Sequence, residues 1–327
     1  RSDHAVLGAC LYAFSGFSIY NVFFNHFIDV VALFPWMLWA LDETLYEQEE
    51  HYGLFAFWVG VNLLNNYFFF IGQVIFLVIY FICKLTTKDF PMNVRLFVRL
   101  AFESLLGAAL GFVLLWPAVL SILQNPRTID LSSGWGFLTY SKVQQYLAIL
   151  LSWILPPDSP YITSIWSEGI IKWTSMSAYL PLCSLAGAMA YWRARKGDSK
   201  KRIVATCAIF ALVPVLNSAF YALNSSYYAR WYYMPVLILC AMTACGLESF
   251  SARGSVFLRP SFSQKVAGWL SWDSGLRVMA QVAIWGIRSF TRRRAPYSKE
   301  VSTAFSSSPA SRTASMIRST ISSSRSK

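Results

Sequence analysis

Charge is what this sequence has least of. Only 13% of its 327 residues are Asp, Glu, Lys or Arg, about half of the roughly 25% that a soluble domain carries. A water-soluble fold of this size would lack its polar surface, so a soluble globular class is excluded. Histidine is scarce and scattered (His4, His26, His51), and none of the six cysteines (Cys10, Cys83, Cys183, Cys207, Cys240, Cys245) belongs to a CxxC pair. Zinc sites and disulfide frameworks need clustered ligands, so neither is expected. The cysteines lie in or beside apolar runs and read as small apolar filler.

What is abundant is apolar and aromatic: 56% of residues are hydrophobic and 17% aromatic, with 13 Trp, 17 Tyr and 25 Phe. Amphipathic rings suit helix ends at lipid headgroups. The formal charge of +12 is not spread along the chain. Residues 1–250 hold 15 basic and 14 acidic side chains, whereas residues 251–327 hold 13 basic and 2 acidic ones. A basic tail beside a membrane span meets anionic lipid heads. No aromatic-basic binding module accompanies it, so nucleic acid is not an expected partner.

A transmembrane helix needs about 20 mostly apolar residues. Segments 5–24, 96–123, 203–223 and 234–250 qualify, with shorter apolar runs at 28–41 and 176–192. Residues 53–83 would form a straight helix of roughly 46 Å, too long for one ordinary span and too short for two. Asn65-Asn66 interrupts the run, so two short helices, 53–64 and 67–83, are expected to meet at a polar kink. Such breaks are tolerated where they line a cavity. The fold class is therefore an all-α, polytopic transmembrane bundle of about eight hydrophobic helices, some short or broken.

Basic residues in short loops face the cytosol. The loop 193–202 (RARKGDSKKR) carries six, and loop 84–95 adds Lys84, Lys88 and Arg95. Segments 124–175 and 224–233 then lie outside. Two helices within 53–83 place the acidic loop 42–52 inside, and one tilted helix places it outside. Residues 143–155 are apolar and end at PPDSP, which suggests an amphipathic helix on the outer surface. The chain divides into a membrane domain, 1–250, and a basic tail, 251–327. Residues 298–327 contain 12 Ser without a core-forming pattern and are expected to be disordered.

Polar groups in or beside spans are costly and are functional candidates by default. His26 and Asp29, three residues apart, share a helical face and suit proton transfer at a hydroxyl, or form an ordinary polar turn. Asn66, Tyr67 and Gln73 place amides at the helix break, fit for a polyhydroxyl ligand or for helix–helix hydrogen bonds. Arg230, beside Trp231, is the only charged residue of 224–233. It can grip a phosphate bidentately or snorkel from an aromatic belt. Arg127 can assist a phosphate or anchor its helix. Glu103 follows Arg99 by four residues and reads as an ion pair. Asp130, Asp158 and Glu168 have the oxygen chemistry for a divalent ion but no motif spacing, so no metal or cofactor is assigned.

The pieces LYAFSGFSIYNVFFNHFIDVVALFPWMLWALDE, NNYFFFIGQVIFLVIYF, LLWPAVLSILQNPR and SSYYARWYYMPVLILCAMTACGLE together resemble the YfhO-type bacterial membrane proteins, which are similar to C-type glycosyltransferases. The resemblance runs through most of residues 5–249. It implies a multi-pass protein of the bacterial cell membrane that moves a sugar from undecaprenyl phosphate onto an exported envelope polymer such as teichoic acid. Arg230 would hold the lipid phosphate, and His26 with Asp29 would act at acceptor or sugar. Asn66, Tyr67 and Gln73 would line the pocket. A transporter or flippase of lipid-linked sugars and an inactive fragment are the alternatives.

C-type enzymes usually carry an acidic residue in a first outer loop after an N-terminal span. Here the chain opens at Arg1 within an apolar run and turns basic after about Gly254. A fragment or frameshifted product is therefore expected. Sequencing the genomic DNA on both sides should reveal an upstream span with an acidic loop, and downstream hydrophobic helices in another frame. A start codon next to Arg1 and a true stop after Lys327 would overturn that expectation.

Overall fold

The computed structural model describes residues 2–46, 51–124, 138–140, 142–157, 174–195, 197–223 and 228–254. The tail from 255 onward and most of the outer segment between 125 and 173 lie outside the described residues. Among the described residues all regular structure is helical. The helices are α1 (Ser2–Ala13), α2 (Gly16–Tyr20), α3 (Asn25–Tyr46), α4 (Leu54–Asn65), α5 (Tyr67–Thr87), α6 (Val94–Leu123), α7 (Val143–Leu151), α8 (Leu182–Ala194), α9 (Ser199–Leu212), α10 (Pro214–Ala219) and α11 (Tyr233–Gly254). Two stretches, Tyr67–Thr87 and Val94–Ser121, are long and apolar enough to cross a membrane. That is fewer than the expected eight or so.

Several apolar runs are divided where local chemistry favours a stop. The run 5–24 ends its first helix at Ala13, and Ser15 accepts from the Ser18 amide to start α2. The Gly16 amide donates to the Tyr179 carbonyl at 2.8 Å, and a Cβ on Gly16 would lie 2.5 Å from Ser177 Oγ. The run 203–223 breaks at Val213, because Pro214 cannot donate the next helical hydrogen bond. The run 176–192 becomes helical only after Pro181. The run 28–41 instead lengthens to 22 residues and carries Pro35 within it.

The 53–83 run folds as expected, as two helices. Asn66 adopts an extended conformation, and its Oδ1 accepts from the amides of Phe68 and Phe69 at 3.2 and 3.3 Å. This satisfies donors that a helix start leaves orphaned. Gln73 Nε2 donates to Asn62 Oδ1 at 3.2 Å. In a continuous helix those two residues would sit about 16 Å apart, so the chain folds back at Asn66.

That reversal fixes the path of the chain. The buried Asp42, near the end of α3, pairs with the buried Lys84 of the last turn of α5 at 2.6 Å and accepts from the Tyr80 hydroxyl at 2.8 Å. Tyr46 meets Phe90 at 6.5 Å, and Arg99 lies 4.1 Å from the Tyr52 ring. Residues 42–52 and 84–95 therefore share one end of the bundle. Cys83 touches Thr206 at 3.9 Å, and Tyr191 donates to Asp198, bringing the 193–202 loop to that same basic end. Lys84 is not a free loop cation but half of a buried pair. Helix α4, at roughly 18 Å, is shorter than α5, at roughly 31 Å. The segment before α4 makes up the difference, since Tyr52 meets Arg99 more than a turn inside α6.

Close approach between helices relies on small residues. At Gly111 an added Cβ would lie 2.3 Å from Leu63 of α4, and at Gly246 of α11 it would lie 2.2 Å from the Gly187 carbonyl of α8. Thr243 Oγ1 adds a hydrogen bond to the Ser184 carbonyl at 2.8 Å. The rest of α6 is largely uncovered: Phe102, Leu105, Val113 and Trp116 are all more than half exposed.

Removing one partner of a buried pair leaves a bare charge. Asp42→Asn or Lys84→Met is expected to destabilise the bundle by about 3–5 kcal/mol. The double variant Asp42→Leu/Lys84→Met should recover most of that. Thermal unfolding in detergent measures all three, and a double variant as unstable as the sum of the singles would show that the pair does not act as a unit.

Candidate functional site

The end opposite the basic loops holds a cluster of aromatic residues from several elements. The first turn of α3, the Asn66 reversal, the segment 228–232 and the start of α11 meet there. Phe27 packs edge-on against Phe69 at 4.7 Å, Phe69 approaches Tyr233 at 6.4 Å, and Tyr233 lies 5.4 Å from both Phe17 and Phe34. The polar atoms Gln73 Oε1, Tyr221 OH and Tyr233 OH are buried in this region, the Tyr233 hydroxyl near the Gln73 side chain and the Tyr221 hydroxyl near the Arg230 and Trp231 backbone.

Arg230 sits in this aromatic wall. Its guanidinium carbon lies 4.2 Å from the Tyr228 ring centroid, 5.3 Å from Phe27 and 5.6 Å from Phe68. Its charge also acts on the Tyr221 phenol. Among the described residues no carboxylate lies within ion-pair distance, and its Nε is buried without a hydrogen-bond acceptor. Contacts with ring faces compensate a cation by about 0.5–2 kcal/mol each but leave its directional N–H donors unused. The arrangement can take an anion.

His26 and Asp29 lie on the first turns of α3, and both are exposed. They are not a polar connection between two spans but part of the helix itself. The His26 ring packs edge-on against Phe27 at 4.6 Å, so its neighbour is the same ring that Arg230 touches. No hydrogen bond or ion pair joins His26 to Asp29. Tyr67 is exposed, Asn66 caps α5, and Gln73 is buried against Asn62. Arg127 lies outside the described residues.

Trp231 is placed differently from its neighbour Arg230. Its ring is buried, stacked on Phe220 at 4.1 Å, and its Nε1 donates to Asn217 Oδ1 at 2.8 Å. It anchors the 228–232 segment in the core. Tyr228, one of the rings flanking Arg230 in the sequence, does lie against it, whereas Asn217 and Tyr221 come from a separate part of the chain and carry no sequence signal. Glu103 pairs with Arg99 at 2.8 Å, as its spacing implied. Ahead of α7, the Tyr140 hydroxyl donates to the Ala211 carbonyl at 3.0 Å, and its phenol is raised above its ordinary range by burial. Among the described residues no group of three or more His, Cys, Asp or Glu is placed to hold a metal.

Apolar helices closed by buried ion pairs and small-residue contacts, with the basic loops gathered at one end, have the build of a membrane protein. The family model described as bacterial membrane protein YfhO matches residues 2–264, and the chain belongs to this family. No curated protein and no solved structure matches it.

Asn66→Ala removes the cap on α5 and is expected to cost about 1 kcal/mol. Amide exchange should quicken first at Phe68 and Phe69. Unchanged protection at both amides would mean that the cap does not hold the reversal.

Proposed function

We propose that this chain is a multi-pass, glycosyltransferase-like protein of the bacterial cell membrane. It transfers a sugar from undecaprenyl phosphate to an envelope polymer such as teichoic acid, at the outer face. The observation that carries this reading is Arg230, a guanidinium without a carboxylate partner among the described residues, held by Phe27, Phe68 and Tyr228 at the end opposite the basic loops. Basic loops face the cytosol, so the aromatic end faces out. The alternation of helices between the two ends supports the multi-pass arrangement.

In this reading the acceptor hydroxyl attacks the anomeric carbon of the donor sugar, and the bond from that carbon to the phosphate oxygen breaks. Asp29 or His26 takes the hydroxyl proton. The departing undecaprenyl phosphate gains negative charge, which Arg230 stabilises through its unused N–H donors. Asn66 and Tyr67 face the donor at the reversal. Gln73, with Tyr233, supplies polar atoms beneath the ring wall. Trp231 holds the Arg230 segment in place, and Arg127 is assigned to the same outer side.

A transporter or flippase is the second reading, favoured by the reversal at Asn66 and the buried amide pair Asn62–Gln73, since broken helices also suit transport. Asp29→Asn and Arg230→Gln in the bacterial host separate the two. For an enzyme, sugar transfer should fall by about a hundredfold or more while the donor still reaches the outer leaflet. Donor trapped in the inner leaflet would establish transport instead.

A further inference from the structure

At the opposite end, helices α8 and α9 present cations with few acidic partners. Arg193 and Arg195 end α8, and Lys200, Lys201 and Arg202 lie in the first turn of α9. Arg193, Arg195 and Arg202 are exposed, and among the described residues no carboxylate pairs with them. The single acidic residue of the loop, Asp198, is engaged with Tyr191, the Lys200 amide and, at 4.0 Å, the Lys200 ammonium. Lys201 donates to the Trp192 carbonyl and lies 5.5 Å from the Trp192 ring. Three consecutive cations at the start of a helix oppose its dipole and repel one another. Asp198 offsets part of that cost at Lys200, and no described carboxylate offsets it at Arg202.

Both helices change character within two turns of these cations. On α8 the exposed Trp192 is followed along the same face by Met189, which is 59% exposed. On α9 the exposed Arg202 shares a face with Ala205 and with Ile209, which is 56% exposed. Cations at the tip with a Trp and bare apolar side chains directly beneath match an anionic headgroup with acyl chains below it. A free phosphate would use only the tip.

We propose that the α8–α9 connection is a binding site for an anionic phospholipid, its headgroup held by Arg193, Arg195 and Arg202 and its chains lying along the exposed apolar side chains below, Met189 on α8 or Ala205 and Ile209 on α9. The inference is independent of the sugar-transfer reading, because the residues lie at the other end of the bundle from Arg230. The lipid supplies counter-charge to Arg193, Arg195 and Arg202, with which no described carboxylate pairs.

The full chain, tail included, is to be reconstituted in nanodiscs and titrated with phosphatidylglycerol against phosphatidylcholine, with binding read by native mass spectrometry. Phosphatidylglycerol should bind preferentially. The exposed-residue variant Arg193→Gln/Arg195→Gln/Arg202→Gln should weaken that binding roughly a hundredfold. The basic tail is common to both proteins, so the difference isolates the three arginines. Circular dichroism and thermal unfolding confirm that the variant is folded. If Arg193→Lys/Arg195→Lys/Arg202→Lys replaces it, most of the affinity should return. No lipid preference in the natural chain, or an undiminished preference in the Gln variant, would overturn the proposal. Equal binding of soluble glycerophosphoglycerol would overturn the lipid as the source of the anion.

Discussion

The turn at Asn66 organises the molecule. A 31-residue apolar run that could have formed one long rod is folded back on itself, because one amide side chain takes over the helix-start donors of Phe68 and Phe69. Once the chain reverses, α3 and α5 both end at the basic end of the bundle, and Asp42 reaches Lys84 across 42 positions of sequence. The same reversal brings Phe68 and Phe69 to the aromatic end, where they meet Arg230 and Phe27. A continuous helix would separate both clusters and leave two buried charges without partners.

The two ends use cations in opposite ways. At the basic end Lys84 is sunk beside Asp42 and flanked by the Tyr46 and Tyr80 rings at 4.6 and 4.7 Å, so its charge is satisfied and serves packing. Arg230 also has aromatic neighbours, yet it lacks a described carboxylate and keeps a buried donor unused. Rings alone compensate a partly desolvated cation incompletely. A residue retained only for stability would gain from an acidic partner such as Lys84 has. The contrast is between a cation satisfied inside the fold and one whose buried Nε donor the fold leaves without an acceptor.

Local chemistry was legible in the sequence, and tertiary chemistry was not. The Asn66 break and the Arg99–Glu103 pair depend on residues a few positions apart, and both are found where spacing placed them. The Asp42–Lys84 pair depends on the path of the chain between them, so Lys84 looked like a loop cation. The stop at Ala13 was hidden because Ser15 and Gly16 are compatible with an apolar helix until the strap around Tyr179 crosses them. Asp29 was recognisable as unusual, but its exposure on a helix rather than in a turn required the full length of α3. Trp231 and Arg230 are adjacent in sequence and identical in their hydropathic setting, and only packing sends one inward to Asn217.

The position of Arg230 also bears on what reaches it. Its cage is built from three separate elements: Phe27 on α3, Phe68 on α5, and Tyr228 on the segment that Trp231 anchors. A cation that only marked a membrane interface would need one helix and one ring. Holding it from three sides limits its rotamers, and an ordered guanidinium gives up less entropy when it binds a phosphate. The first turn of α3 carries Phe27 into that cage and His26 and Asp29 to the surface beside it. One short stretch of α3 thus supplies both a wall of the Arg230 cage and two exposed titratable side chains.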